Sequence, residues 1–161
     1  MKIVTAIFAT LLLLAGTPAT AEVKGPAPQF TLPGTSGEIN LADYKGKVVY
    51  LDFWASWCSP CRDSFPWMNK MQAKYQEKGV VFLAVNVDRK KKDAEDFLVN
   101  NPAKFPVVFD PKGTVPKLYD VMGMPTAFLI GKDGNIRHFH IGFHETDIAE
   151  YEKHIVEALA K

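Results

Sequence analysis

Cysteine is scarce: the 161-residue chain has two, Cys58 and Cys61. There is no second Cys-x-x-Cys, so a four-cysteine zinc site is excluded, and two cysteines cannot build a disulfide scaffold. An excess of one charge is lacking too. Nineteen Lys and Arg stand against eighteen Asp and Glu. That balance gives no electrostatic basis for binding nucleic acid or an anionic membrane surface. The longest apolar run, Ile3 to Ala15, is shorter than the ~20 residues that span a bilayer comfortably. Internal repeats and low-complexity tracts are missing, which excludes solenoids and arrays.

The short apolar run still carries information. Lys2 precedes it, and "GTPATA" follows it, ending in the small-x-small pattern Ala19-Thr20-Ala21. A basic start, a short apolar stretch and small residues predict a secretory signal peptide over residues 1–21, with an uncleaved membrane anchor as the alternative. No cysteine follows the run to carry a lipid. One domain, residues 22–161, is then expected, long enough for one buried core. Loss of Lys2 makes its charges balance. Export would put the two cysteines where disulfides form and persist.

Along that domain, Glu22–Gln29 reads as a polar, Pro/Gly-rich lead-in. "FTL" and "EINL" flank the turn Pro33–Gly37 as short strands. "VVYLDFW", Val48–Trp54, is apolar on both parities, as in a central strand buried on both faces. From Ser59 to Glu77, Phe65, Met68, Met71 or Gln72, and Tyr75 recur at helical spacing, and Gly79 ends the pattern. Pro60 suits a first helical turn, while Pro66 should kink the helix. Strands are predicted at Val80–Val87, at "PVVFD", at Thr126–Ile130 and at Ile136–Phe143, and helices at Lys92–Asn101, at "VPKLYDV" and at Thr146–Ala160. Lys90 to Lys92 reads as a solvated loop or helix start. Alternating strands and helices, closed by a hairpin and a helix, predict an α/β fold with helices on both faces of a mixed sheet.

The chemistry concentrates in "LDFWASWCSPC". Cys58 falls between the end of a buried strand and the start of a helix. Free N–H groups and the helix dipole there favour a thiolate. Cys61, one turn on, is within disulfide reach and suits a resolving thiol. A structural staple would close a tiny loop and constrain the unfolded chain little. A zinc site would need further ligands. Thiol exchange is the favoured reading, with Ser59 and Pro60 setting the redox poise. Asp52 lies inside the apolar strand. Burial there should raise its pKa and place it to exchange a proton with Cys61; an exposed strand face is the alternative.

At these residues the chain resembles the thioredoxin superfamily. "DFWASWCSPC" is similar to its active-site signature in Asp52, Trp54, Trp57, Cys58, Pro60 and Cys61. "MGMPTAFLI" looks like its second signature, in which a cis-proline faces the disulfide; that maps to Pro125, with Met124 offering its backbone to the substrate chain. The resemblance implies a three-layer α/β/α sandwich. The stretch from Cys61 to Pro125 is longer than in plain thioredoxin by about one strand–helix unit. That insertion, the N-terminal "PAPQFTL", and "CRDSFP" resemble the TlpA/ResA-like exported thiol–disulfide oxidoreductases. They imply a periplasmic or otherwise exported protein-disulfide oxidoreductase, monomeric, with protein thiols as partners. They further imply a reductant role, cytochrome c maturation and electrons from a membrane thiol-transfer protein. No metal or organic cofactor is implied beyond the cysteine pair. One position departs: where many cytochrome-maturation members carry a glutamate, this chain has Ser64.

Two rival functions share features with this sequence. A thiol peroxidase would need Pro-x-x-x-Thr-x-x-Cys, but Leu51 and Ala55 hold those places before Cys58. A copper- or haem-handling module could use His138, His140 and His144 of "HFHIGFH". The expected alternative has Phe139, Ile141 and Phe143 facing inward and the histidines facing solvent. Trp57, beside Cys58, is expected at the docking surface, while Trp54, Trp67 and the helix's Met and aromatic residues pack.

Overall fold

The computed structural model describes residues 25–161, so the predicted leader lies outside the described residues. Strands β1 (Gly25–Pro26), β2 (Thr31–Gly34) and β3 (Gly37–Asn40) come first, then β4 (Val48–Trp54) and helix α1 (Ser59–Tyr75). Next follow β5 (Val80–Asn86), α2 (Lys91–Asn100), β6 (Val107–Phe109) and α3 (Thr114–Leu118). Strands β7 (Thr126–Ile130) and β8 (Asn135–Ile141) and helix α4 (Ile148–Leu159) complete the chain. The strands form one mixed sheet, ordered β1-β8-β7-β4-β5-β6-β2-β3.

Every residue of β4 is buried. It lies between parallel β5 and antiparallel β7, so both edges are hydrogen-bonded. Its side chains alternate between two cores. Val48, Tyr50 and Trp54 join α1, α2 and α4 on one face. Val49, Leu51 and Phe53 join α3, the 3-10 turn Leu41–Tyr44 and the N-terminal hairpin on the other. The three-layer sandwich is therefore present, with a thin second layer.

The first core is an aromatic cluster. Trp54 meets Phe65 and Phe97 at ring-centroid distances of 4.9 and 4.8 Å, and Tyr50 stacks on Phe82 at 4.8 Å. Helix α1 contributes Phe65, Met68, Met71 and Tyr75, as their spacing predicts. Helical geometry continues through Pro66. Gly79 ends the following 3-10 turn at φ 87°, a left-handed conformation that costs glycine little. The extra segment in the middle of the chain is α2 with β6. Strand β6 adds parallel to β5, and β2 then pairs with β6.

Within the lead-in, Gly25 and Pro26 pair with Ile136 and Asn135 of β8. One expectation is corrected: the β8 histidines do not face solvent. The α4 helix covers that face, and His138 stacks on His154 with ring centroids 3.8 Å apart. Burial, then the neighbouring His154 and His138, push the His140 pKa down to about 4. Of the predicted inward set, Phe139 packs on the second core, Phe143 on the first, and Ile141 is 60% exposed. Gly142, at φ 80°, reverses the chain after β8 and turns Phe143 toward Trp67 and Tyr151.

Candidate active site at the strand-to-helix junction

Three elements converge at one edge of the sheet. Parallel β4 and β5 end there, and β7 begins there, because Thr126 lies opposite Phe53. Loops at the carboxyl ends of parallel strands commonly form sites. The sequence supplies each loop with its chemistry.

The β4–α1 loop carries the cysteines. Cys58 is the N-cap of α1, with φ −84° and ψ 107°, and its N–H donates to Ala55 O at 3.1 Å. Pro60 stands in the first turn, as expected. Cys58 and Cys61 are joined in a disulfide, with Cα atoms 5.4 Å apart. Among the described residues no side chain caps the helix start, and its first turn holds no acidic residue. The free N–H groups and the dipole are therefore left to a sulfur at Cys58, where they stabilise negative charge. Both cysteines are buried, Cys61 completely and Cys58 at 4% exposure. Trp57 beside them is 69% exposed, which fits a surface for a partner chain.

Asp52 shares the parity of Tyr50 and Trp54, so it faces the α1 side of the sheet, where Cys61 packs. It is buried, and burial raises its pKa well above the ordinary carboxylate range. Its Oδ2 has no hydrogen-bond partner among the described residues. A bare buried carboxyl oxygen favours the protonated form, so Asp52 is built to hold a proton. Ser64 is also buried, but its Oγ donates to Cys61 O at 3.0 Å within the helix. No acid occupies that position.

The β7 approach carries the proline. The Met124–Pro125 bond is cis. Gly142 N–H donates to Pro125 O at 2.8 Å, and Thr126 Oγ to Gly123 O at 2.7 Å, which pins the turn. By register Pro125 follows on beside the exit of β4. Met124 is half-buried and touches both cores.

Sequence reasoning missed Asp88. It lies just past β5 and is buried. Its Oδ2 accepts from Ser56 N–H at 2.9 Å and from Asn86 Nδ2 at 2.7 Å, and its Oδ1 accepts from Ser56 Oγ at 3.0 Å. These bonds tie the loop before Cys58 to the end of β5. The signal was present in "NVD": polar side chains at the close of a buried strand.

Comparison with known proteins agrees with this arrangement. Residues 23–139 match the model of the AhpC/TSA family. The chain is 41% identical over 116 residues to thiol-disulfide oxidoreductase ResA of Bacillus thuringiensis subsp. konkukian (strain 97-27), covering 71% of this chain and 67% of that protein. It is also 41% identical to ResA of Bacillus subtilis (strain 168) over 111 residues, 68% of this chain and 62% of the other. Among solved structures, one described as a thiol:disulfide interchange protein DsbE from Chlorobium tepidum superposes with a TM-score of 0.84. It is 54% identical and covers 86% of this chain and 98% of its own. The fold, the paired cysteines and these relatives agree: the chain belongs to the AhpC/TSA family and is a ResA-like, thioredoxin-fold protein-disulfide oxidoreductase.

Proposed function

We propose that the chain reduces disulfides in exported protein partners, with Cys58 as the attacking thiol and Cys61 as the resolving one. The observation that carries this reading is the Cys58–Cys61 pair at an uncapped, acid-free helix start, with buried Asp52 on the face toward α1. In the reduced pair, the Cys58 thiolate attacks a partner sulfur, a mixed disulfide forms, and the partner's first thiolate leaves. Cys61 then attacks Cys58 Sγ, passing its proton to the Asp52 carboxyl as that group releases its own proton to the departing partner sulfur. The partner's second thiol leaves, and two electrons have passed from the pair to the partner. Trp57, Met124 and Pro125 dock the partner chain, and Ser59 and Pro60 tune the potential. The reaction uses no organic cofactor or metal.

A membrane thiol-transfer protein returns the electrons, and the protein works as a monomer in the periplasm or an equivalent exported compartment. A role in cytochrome c maturation is the finer form of this proposal, with Asp52 serving where Ser64 replaces the acid of many such relatives.

The test is trapping. Cys61→Ser should accumulate mixed disulfides through Cys58, visible on non-reducing gels, and Cys58→Ser should not. The reverse pattern would overturn the two roles. A potential near about −270 mV is expected for a reductant; one near −120 mV would make the protein an oxidant.

A further inference from the structure

Strand β8 and helix α4 meet along a row of imidazoles. His138 and His140, two apart on β8, share the face toward α4, and His154 comes from the middle of α4. The His138 and His154 rings are parallel within 6°. His140 lies 5.3 Å from His154, its plane inclined by 10°. Glu157, three residues beyond His154, completes the group: its Oε2 is 3.9 Å from His138 Nε2. One ligand atom each from His138, His154 and Glu157 lies within 4.8 Å of the others. His144, which the sequence grouped with His138 and His140, is not among them.

Stacking alone would account for flat rings packed together, but it leaves a polar atom bare. His154 Nδ1 is buried without a hydrogen-bond partner among the described residues. Such a nitrogen is costly unless something accepts or fills its lone pair. Its other nitrogen, Nε2, faces Glu150 Oε1 at 3.8 Å. Metal-bound imidazoles commonly have a carboxylate beside the nitrogen that does not bind the ion.

We infer that His138, His154 and Glu157 form a binding site for a divalent ion of borderline softness, Zn²⁺ or Cu²⁺. Two imidazoles and one carboxylate are the donor set such ions take, at bond lengths of about 2.0–2.2 Å. Those lengths bring donors to roughly 3–4 Å from one another, so side-chain rotation closes the group. Glu157 can supply it, being 45% exposed. Lys153 Nζ, 3.6 Å from Glu157 Oε1, is exposed and free to swing aside. One coordination position of a four-coordinate ion remains for water or a partner's side chain.

The site is separate from the redox pair. His138 lies opposite Leu129, which lies opposite Tyr50, four residues back along β4 from Trp54. Its ion would join β8 to α4. This inference does not depend on the direction of thiol exchange.

The test uses untagged, chelator-treated full-length protein in the oxidised form, so that both cysteines are held in the disulfide. Calorimetric titration with Zn²⁺ and with Cu²⁺ should give one equivalent. His138→Gln and His154→Gln should lose it, and Glu157→Gln should weaken it by tenfold or more. A Cys58→Ser/Cys61→Ser variant should bind as the wild type does. Bound Cu²⁺ should show nitrogen hyperfine coupling from two imidazoles. Zn²⁺ should raise the melting temperature of the wild type but not that of His138→Gln. Circular dichroism checks that the variants fold; His138→Gln and Glu157→Gln alter half-buried side chains at the rim and suffice if His154→Gln unfolds. Absence of binding to the wild type, or equal affinity in the His138→Gln and Glu157→Gln variants, would overturn the inference.

Discussion

Asp52 is the residue where stability and chemistry pull apart. Burial raises its pKa well above 3.8, so the native state keeps a proton that the unfolded chain releases above that value. The contribution is fully favourable below 3.8 and is lost as pH rises toward the folded value. The slope in that window approaches ~1.4 kcal/mol per pH unit. Asp52→Asn should therefore be more stable than the wild type near pH 7, and the gap should close on acidification toward pH 4. Urea unfolding at both pH values measures it; equal stability near pH 7 would contradict the buried proton. The same variant should exchange disulfides slower by about tenfold or more, because Cys61 loses the carboxyl that relays its proton. The identity of Asp52 as a misfit was legible in the sequence, since a carboxylate interrupts an apolar strand. Its unsatisfied Oδ2 was not, because only the packed neighbours decide that.

At the scale of elements, the loop between β4 and α1 is held by Asp88 as well as by its own turn bond from Cys58 N–H to Ala55 O. Three donors converge on that carboxylate. Asp88→Ala should cost roughly 2–3 kcal/mol, because Ser56 N–H and Asn86 lose a buried acceptor. Denaturant titration would show this, and disulfide exchange should slow as the loop before Cys58 loosens. A cost below about 0.5 kcal/mol would mean that water replaces the carboxylate without penalty. Strand β8 shows the limit of element-level reading. Its alternation was visible, but which face was covered depended on α4, from later in the chain. An alternating strand reports two faces and not which of them meets a helix.

For the whole molecule, the insertion is part of the core. Phe97 of α2 packs on Trp54 and Phe65 of the site's own strand and helix. Phe97→Ala should cost about 3–5 kcal/mol and lower a single unfolding transition seen alike by tryptophan fluorescence and circular dichroism. A separate early transition would mark the insertion as an appendage. The amino-acid sequence by itself determined the α/β alternation, the buried β4, the helix start at Cys58 and the reactive pair. These follow from local spacing and from residue types whose conformational preferences act within a few positions. Tertiary structure alone decided how Gly25 and Pro26 pair with β8, how Asp88 reaches Ser56 and how His154 meets His138. Each joins residues distant in the chain, and such contacts depend on sheet order and register, which no local pattern encodes.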